Sequence, residues 1–454
     1  MRRFAFLSAL LALLALTLIA CGGGAASPGG SSNQSAVFVT GEDAPLPSVV
    51  SFYITINSIT LNNGSTSVPV LTQPTTVDLG RLTGLRSMLG FSTVAPGTYN
   101  SATFTFASPV IYYVDVTTTP PSLGKLNGTL TNSTVTVAFP TGKPLVVDAN
   151  GLAGLHMDFD LRQSLAVDNS GQITGSVNPS VDVMAVSASD DLGEITDFRG
   201  SVLSVNTSAN SFLVQGPYGF QEVIKVNTQT QFNGSYSLNN LPTDAIVAVE
   251  GIVQADGSIL ATDAEVITTD KAFVSGRILA VAPGPVVTMF VGEELPDLSP
   301  SFPVDTVQTI DLSAVTKYDI CFFDNWFTQQ LFNSSSLVVG QRIFVGGTFM
   351  SGTFTPEMVS LRRQGVVGSL VANSVNIVSG NQGSFQMQND LLMSYAAGGP
   401  FTVNTGNGTR FVNINGLAGL QAAGSTNLVV RGLVFKDAVS GKPVVWVHRV
   451  RVLP

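Results

Sequence analysis

The chain has 454 residues, of which 44 % are hydrophobic and only 11 % are charged, and its formal net charge is −9. This length suits several domains, and the acidic balance disfavours nucleic acid as a partner because phosphate groups would be repelled. Valine, glycine, serine and threonine are among the commonest residues, a composition that favours strands and turns over helices. We therefore expect an all-β protein with several modules.

The N-terminus has the layout of a secretory signal. Arg2 and Arg3 precede an uncharged, mainly apolar run, Phe4–Ala20, which ends at the small residue Ala20. This run is short for a bilayer span. Residues 1–20 are therefore predicted to be a signal peptide that is removed on export.

The end of this signal contains the sequence Leu18-Ile19-Ala20-Cys21. These four residues resemble the lipobox of bacterial lipoproteins, which implies that Cys21 is lipidated and becomes the first residue of the mature chain. Acyl chains on one residue anchor a protein stably when more than one is present. Gly22 follows the cysteine, and in the sorting pattern of many Gram-negative lipoproteins this favours the outer membrane. An ordinary signal peptide is the alternative.

Residues 21–36 are rich in glycine and serine, and we expect them to form a flexible tether. The first folded module is expected over residues 37–186, where strand candidates alternate with turn residues such as Asn63-Gly64. This spacing predicts an antiparallel β-sandwich. Only Leu79–Leu89 has the pattern of a short helix. Strand candidates after the first hairpin are Tyr99–Phe106, Val110–Val116, Thr134–Phe139 and Leu155–Ser164.

Four motifs occur in this module in a fixed order. They are Gly41-Glu42-Asp43-Ala44-Pro45, Val77-Asp78-Leu79, Val94-Ala95-Pro96-Gly97-Thr98-Tyr99 and Asp158-Phe159-Asp160-Leu161-Arg162-Gln163-Ser164. Together they resemble a bacterial family known as domain of unknown function 4382. The resemblance implies a β-sandwich fold and no established activity. The family usually has Thr-Asp-Ala-Pro in the first motif, so this chain departs from the pattern at Gly41-Glu42.

Residues 187–196 are polar and acidic and are expected to be a linker. The remainder contains one unit three times, over residues 197–270, 271–364 and 365–454. Each unit has a glycine inside an apolar strand, then a Thr-x-aromatic motif, then a strand that ends near a glycine. The first glycines are Gly200, Gly276 and Gly368, the threonines are Thr230, Thr316 and Thr409, and the later glycines are Gly251, Gly347 and Gly432. Recurrence in a fixed order indicates a repeat.

The first unit, over about Thr196–Ile267, resembles a second family, domain of unknown function 5666. That resemblance implies a small barrel of OB-like character. The second and third units have longer insertions, and we expect all three to be tandem OB-like barrels. An interior glycine lets a barrel strand coil sharply, so the recurring glycines need no ligand to explain them.

The most strongly patterned strand candidate is Leu155–Ser164. Asp158, Asp160 and Arg162 fall on its polar face because side chains alternate along a strand. One interpretation is a polar stripe that binds a cation and is joined by Asp43. The other is a solvent-facing side of the sandwich, with Asp43 in a turn. Calcium takes roughly six to eight oxygen ligands, more than this strand supplies, so no metal site is predicted.

The second repeat carries an aromatic insertion with Phe323, Asp324, Trp326 and Phe327. Aromatic faces beside a carboxylate suit a glycan or a peptide. The alternative is that these residues are buried against the neighbouring barrel. Burial is the interpretation that we favour from the sequence.

Enzymatic motifs are absent from the sequence. The two histidines, His156 and His448, lie in different modules, which makes a Ser-His-Asp triad hard to assemble and argues against a histidine-rich metal site. No nucleophile elbow, zinc-protease motif or phosphate-binding loop is present. A carboxylate-dependent hydrolase stays open as an alternative, because the fold decides the distance between two carboxylates.

These observations predict a lipid-anchored, non-enzymatic protein of the cell envelope that presents a binding or structural surface. Its expected partners are the membrane, through acyl chains on Cys21, and envelope proteins or glycans. No cofactor is expected. Glycan recognition by the aromatic insertion is the first alternative, and hydrolysis is the second.

Overall fold

The structure is a computed structural model. It describes residues 35–44, 46, 48–82, 85–116, 118–168, 172–216, 221–269, 272–295, 302–320 and 331–453. These ranges consist mainly of strands, which confirms the all-β class. No helix within them has the length and apolar character needed to cross a lipid bilayer. Cys21, the predicted signal peptide and most of the tether lie outside the described residues.

The N-terminal module is a sandwich of two sheets. Its strands are β1 (Ser35–Ala44), β2 (Val49–Asn62), β3 (Ser67–Leu71), β4 (Thr75–Asp78), β5 (Ser87–Val94), β6 (Gly97–Tyr99), β7 (Ser101–Asp115), β8 (Ser122–Asn127), β9 (Thr129–Leu130), β10 (Thr134–Ala138), β11 (Leu145–Val147), β12 (Leu152–Asp160), β13 (Leu165–Val167), β14 (Ile173–Val177) and β15 (Val181–Val186). One sheet has the order β15-β12-β1-β5, and the other has the order β10-β7-β2-β3. Phe52, Phe104 and Phe159 are buried in the core of this module. The predicted sandwich is confirmed, but it is not wholly antiparallel, because β1 pairs parallel with β12.

Local sequence explains the hairpin between β2 and β3. The register of β2 against β7 shifts between Ile56 and Ser58, where the apolar pattern changes phase, as expected of a bulge. Gly64 has a φ of 91°, and Asn63 Oδ1 accepts a hydrogen bond from the Thr66 amide at 2.8 Å. These residues make the predicted turn, because glycine adopts a positive φ without strain.

Two predictions in this module need correction. The strand candidates Tyr99–Phe106 and Val110–Val116 are largely parts of one long strand, β7, which continues through Ser108 at a φ of 49°. The predicted strand Leu155–Ser164 ends at Asp160, where a short helix, α1 (Leu161–Ser164), begins. The helical segment expected within 79–89 is a single 3₁₀ turn, Leu79–Leu82.

The three repeats follow in order. Repeat 1 contains β16 (Ile195–Asn206), β17 (Ser211–Gln215), β18 (Gln221–Lys225), β19 (Gln231–Phe232), a 3₁₀ turn (Leu238–Asn240), β20 (Ile246–Val253) and β21 (Ile259–Thr268). Repeat 2 contains β22 (Ala272–Ala282), β23 (Val286–Leu295), β24 (Thr306–Asp311), β25 (Lys317–Ile320), a 3₁₀ turn (Ser334–Ser336), β26 (Arg342–Met350) and β27 (Thr353–Leu361). Repeat 3 contains β28 (Gln364–Leu370), β29 (Asn376–Ser379), β30 (Gln382–Gln388), α2 (Leu391–Ala397), β31 (Phe401–Val412), α3 (Gly416–Ala423), β32 (Asn427–Lys436) and β33 (Pro443–Val452).

Strand pairing in repeat 1 follows the five-stranded Greek key of OB-like barrels. Strand β16 pairs antiparallel with β17 and β20, and β18 closes the barrel by pairing parallel with β21. Repeat 3 has the same set of pairings, with β28, β30, β31, β32 and β33 in the corresponding places. In repeat 2, β22 pairs with β23 and β26, and β25 runs parallel to β27. The sandwich-and-barrel architecture is therefore confirmed.

The recurring glycines lie where a neighbouring strand passes too closely for a side chain. A Cβ atom on Gly200, Gly276 or Gly368 would lie 2.3, 1.8 or 2.2 Å from a carbonyl oxygen of the paired strand. The later glycines, Gly251, Gly347 and Gly432, would place a Cβ atom 2.4, 2.1 and 1.9 Å from such an oxygen. This crowding supports the structural interpretation, in which glycine permits sharp coiling.

Glu222 in β18 is buried although its neighbour Val223 is 43 % exposed. Burial raises the pKa of Glu222 from 4.5 to about 8. The Glu222 carboxyl group therefore loses its proton at lower pH in the unfolded chain than in the folded chain. As a result, the free energy of unfolding falls as the pH rises from about 4.5 to about 8. Repeat 1 thus carries a carboxyl group that is protonated at neutral pH.

Replacing Glu222 by glutamine removes this titration. We expect Glu222→Gln to raise the free energy of unfolding by about 3 kcal/mol at pH 7 and by much less at pH 4. Urea denaturation at both pH values measures the difference. Glu357→Gln, at an exposed position in β27, is the control and should change stability little. An equal effect of Glu222→Gln at both pH values would contradict the raised pKa of Glu222.

Apolar clusters cross the boundaries between modules. Phe38 and Met88 of the N-terminal module belong to the same cluster as the core of repeat 1. Ile246 of repeat 1 packs in a cluster with Phe273 and Phe344 of repeat 2. A further cluster joins three modules through Val114, Leu279, Phe290 and Leu392. The modules are therefore packed against one another.

The predicted linker, residues 187–196, also lies against the N-terminal module. Thr40 Oγ1 donates a hydrogen bond to the Leu192 carbonyl at 2.9 Å. Arg86 Nε donates to the Glu194 carbonyl at 3.1 Å. Strand β16 begins before this segment ends. The segment connects two modules that are in contact.

Candidate functional site

The predicted polar stripe lies in the interior of the protein. Strand β12 is flanked by β1 and β15, and both Asp158 and Asp160 are only 6 % exposed. The interpretation of this stripe as a solvent-facing surface is therefore wrong. Arg451 in strand β33 of repeat 3 pairs with Asp158, a contact between distant parts of the chain that sequence alternation does not reveal.

Asp160 and Arg162 stabilise the start of helix α1. Asp160 Oδ1 accepts hydrogen bonds from the Arg162 amide at 2.9 Å and the Gln163 amide at 3.2 Å. Arg162 Nη2 donates to Asp160 Oδ2 at 3.1 Å. A carboxylate that caps amides at a helix start satisfies donors that have no partner within the helix. These two residues therefore have a local structural role.

Asp43 lies in β1 and not in a turn, which corrects the prediction for this residue. Strand β1 runs parallel to β12, so that Asp43 pairs with Phe159 and Glu42 pairs with Asp158. Burial raises the pKa of Asp43 well above its ordinary value, and the nearby charges of Asp158 and Asp160 raise it further. The fold thus brings Asp43, Asp158 and Asp160 into one region, and the protonated form of Asp43 is favoured there.

Glu42 is the centre of a buried ion-pair cluster between the N-terminal module and repeat 3. Its carboxylate lies 3.7 Å from Arg86, 3.8 Å from Arg449 and 3.3 Å from Arg451. Arg451 Nη2 also donates to Asp158 Oδ2 at 2.7 Å. Burial alone would raise the pKa of Glu42, but the three arginines together outweigh it and lower the pKa.

The cluster continues to the segment that connects the modules. Asp191 lies 3.7 Å from Arg86, 3.4 Å from Arg449 and 2.8 Å from Arg410. His156 lies in the same region, with its Nδ1 atom 3.0 Å from Thr40 Oγ1. Burial lowers the pKa of His156 to about 4, so the imidazole is neutral at neutral pH.

Similar pairs join the other modules. Arg199 of repeat 1 lies 2.8 Å from Glu293 of repeat 2. Arg362 of repeat 2 lies 2.5 Å from Glu265 of repeat 1. Arg431 of repeat 3 lies 3.7 Å from Glu250 of repeat 1, which Arg363 also contacts. Buried charges therefore mark most contacts between modules.

Metal ligands do not gather in the part of the chain that the structure describes. No three or more His, Cys, Asp or Glu side chains there are placed to hold a metal ion. Asp158 contacts Arg451, and Asp160 contacts Arg162. The carboxylates of the predicted stripe thus have protein cations as partners.

Phe323, Asp324, Trp326 and Phe327 lie outside the described residues. The next described residue, Leu331, is 82 % exposed, whereas Phe332 is buried and contacts Tyr318.

A cavity that the sequence did not predict lies where three modules meet. Its volume is about 80 Å³. Its walls include Leu46 and Arg81 of the N-terminal module, Arg277 and Phe290 of repeat 2, and Val367 and Asp390 of repeat 3. These residues are far apart in the sequence and share no motif, so no local signal identifies them.

The carboxylates in the cavity wall already have protein partners. Asp78 accepts a hydrogen bond from the Phe52 amide at 2.8 Å. Glu293 contacts Arg81 at 3.1 Å as well as Arg199. Asp390, the N-cap residue of helix α2, accepts a hydrogen bond from the Met393 amide at 3.0 Å. Their placement stabilises the walls and does not by itself indicate catalysis.

Comparison with known proteins identifies only part of the chain. A search of curated proteins found no match. The model of the family described as "Domain of unknown function (DUF4382)" matches residues 35–174. The N-terminal sandwich is therefore similar to that family, as its motifs predicted.

Proposed function

We propose that the protein is a lipid-anchored protein of the cell envelope, held at the outer membrane by acyl chains on Cys21, and that it acts as a binding or structural display module. In this proposal residues 1–20 are the signal peptide and residues 21–36 are the tether. The lipobox resemblance implies more than one acyl chain on Cys21, and several chains anchor a protein more stably than a single chain does. The proposal includes no catalytic step.

The contact between the first and the last strands of the chain supports the display role. Arg451 in β33 reaches Glu42 and Asp158 of the N-terminal module. Repeat 3 thus packs back onto the module that follows the tether. The modules would therefore present their surfaces to a partner together. Several weak contacts made at the same time give a higher overall affinity than any one of them alone.

Two further parts of the proposal rest on the sequence. The strand order of repeat 1 supports its resemblance to domain of unknown function 5666, which remains a prediction. The aromatic insertion around Trp326 remains the candidate for glycan binding. The carboxylates in the cavity wall do not support the hydrolase alternative, because each one contacts an amide or an arginine.

Lipidation can be tested directly in cells. We expect an alkyne-tagged fatty acid to label the wild-type protein, and Cys21→Ser to abolish both the label and sedimentation with the membrane fraction. Cys321→Ser, at the second of the two cysteines in the sequence, is the matched control and should keep both. Unlabelled wild-type protein, or label retained by Cys21→Ser, would contradict the proposed anchor. Separation of inner and outer membranes then tests the proposed location.

A further inference from the structure

The cavity between the three modules has a volume of about 80 Å³, which leaves room for several water molecules or for a ligand of a few non-hydrogen atoms. Three modules contribute to its walls. A ligand bound there would therefore contact the N-terminal module, repeat 2 and repeat 3 at the same time.

Arg277 in the cavity wall has unused hydrogen-bonding capacity. Its Nε and Nη2 atoms are buried and have no hydrogen-bond partner among the described residues. The nearest carboxylate, Asp390 Oδ1, lies 3.9 Å from Nη2, which is beyond hydrogen-bonding distance. A buried donor without an acceptor is unfavourable, and arginine keeps its charge at all relevant pH values.

The other arginines in the wall are already engaged. Arg81 Nη1 donates to Glu293 Oε1 at 3.1 Å, and Arg342 Nη1 donates to the Arg363 carbonyl at 3.2 Å. Arg277 is therefore the wall arginine with the clearest need for an acceptor. Its planar guanidinium group matches a carboxylate, which can accept two parallel hydrogen bonds.

The remaining walls restrict the ligand further. Leu46, Val49, Phe290 and Val367 provide apolar surface beside the arginine, which suits a short alkyl chain. The charged residues of the wall are Arg81, Arg277 and Arg342 against Asp78, Glu293 and Asp390. Because these formal charges balance, a ligand with one negative charge leaves less uncompensated charge in the site than a multiply charged phosphate would.

We propose that this cavity binds a small monocarboxylate, with its carboxylate on Arg277 and its short alkyl chain against the apolar wall. The site is independent of the lipid anchor and of the aromatic insertion. Binding would also stabilise the contact between the three modules, because the ligand is held by all of them.

Calorimetric titration of the mature full-length protein in detergent tests this proposal. Acetate, propionate and butyrate are the probes, and chloride and phosphate at equal ionic strength are the reference anions. We expect saturable binding of at least one carboxylate, with a matching rise in Tm, and no comparable effect of the reference anions. A well-folded wild-type protein that binds none of the carboxylates, or that binds chloride and phosphate equally, would overturn it.

Variants of Arg277 test the role of the guanidinium group. Arg277→Gln should weaken binding at least tenfold, and Arg277→Lys, which keeps the charge but loses the paired donors, should weaken it at least threefold. Arg410→Gln, at a side chain that is 59 % exposed, should bind as the wild type does. Circular dichroism confirms that each variant is folded, and Arg277→Lys serves if the glutamine variant does not fold. Unchanged affinity in a folded Arg277 variant would overturn the proposal.

Discussion

Replacing Glu42 by glutamine is expected to lower the free energy of unfolding by about 3–5 kcal/mol, the usual loss when one partner of a buried ion pair is removed. The carboxylate side chain is only 2 % exposed and lies within 4 Å of Arg86, Arg449 and Arg451. Without its charge, the buried guanidinium groups of Arg86 and Arg449 and the partly buried one of Arg451 face one another with fewer anions nearby. The contact between repeat 3 and the N-terminal module should weaken first.

Urea denaturation at pH 7 measures this loss, and limited proteolysis shows whether repeat 3 separates before the rest unfolds. Asp256→Asn is the control, because Asp256 forms an exposed pair with Lys225 at 2.5 Å and exposed pairs contribute about 0–1 kcal/mol. A loss in Glu42→Gln no larger than that of the control would show that the cluster contributes little.

The pH dependence of this contribution follows from the lowered pKa of Glu42. A carboxylate whose pKa is lower in the folded state stabilises the protein above its unfolded pKa and loses this effect as the pH falls through the folded value. The difference between wild type and Glu42→Gln should therefore be largest near neutral pH and should shrink in acid.

Replacing Gly276 by alanine should destabilise the protein by about 3 kcal/mol or more. The added Cβ atom would lie 1.8 Å from the Phe290 carbonyl oxygen, and backbone atoms of a paired strand cannot move aside as a flexible side chain can. Overpacking of a well-packed interior typically costs about 1–3 kcal/mol and sometimes more. The expected result is either this loss or a failure of repeat 2 to fold.

Gly97→Ala is the matched control for this substitution. A Cβ atom there would lie 3.9 Å from its nearest contact, the Tyr99 ring, which is ordinary van der Waals distance. Thermal and urea denaturation of both variants should show a large loss for Gly276→Ala and a small change for Gly97→Ala. Equal stability of the two variants would contradict the role assigned to the recurring glycines.

The local features of the fold were readable in the sequence. Alternation of apolar residues, the turn at Asn63-Gly64 and the phase change in β2 each depend on residues close together in the chain, and the structure agrees with them. The recurring glycines also indicated a repeated unit, and at these positions a paired strand passes too closely for a side chain. Apolar alternation and backbone sterics act locally, so one sequence suffices to recognise them.

The surroundings of the polar residues were decided by the tertiary structure alone. Asp158 has the pattern of a solvent-facing residue, yet Arg451, far along the chain, covers it and pairs with it at 2.7 Å. The cavity beside Arg277 likewise exists only because three modules meet there. Charge attraction and burial depend on distance in space, and nothing in the local sequence states which arginine will reach which carboxylate. The chain's sequence thus determined its strands, turns and repeats, whereas module packing determined which polar groups are buried and which space remains for a ligand.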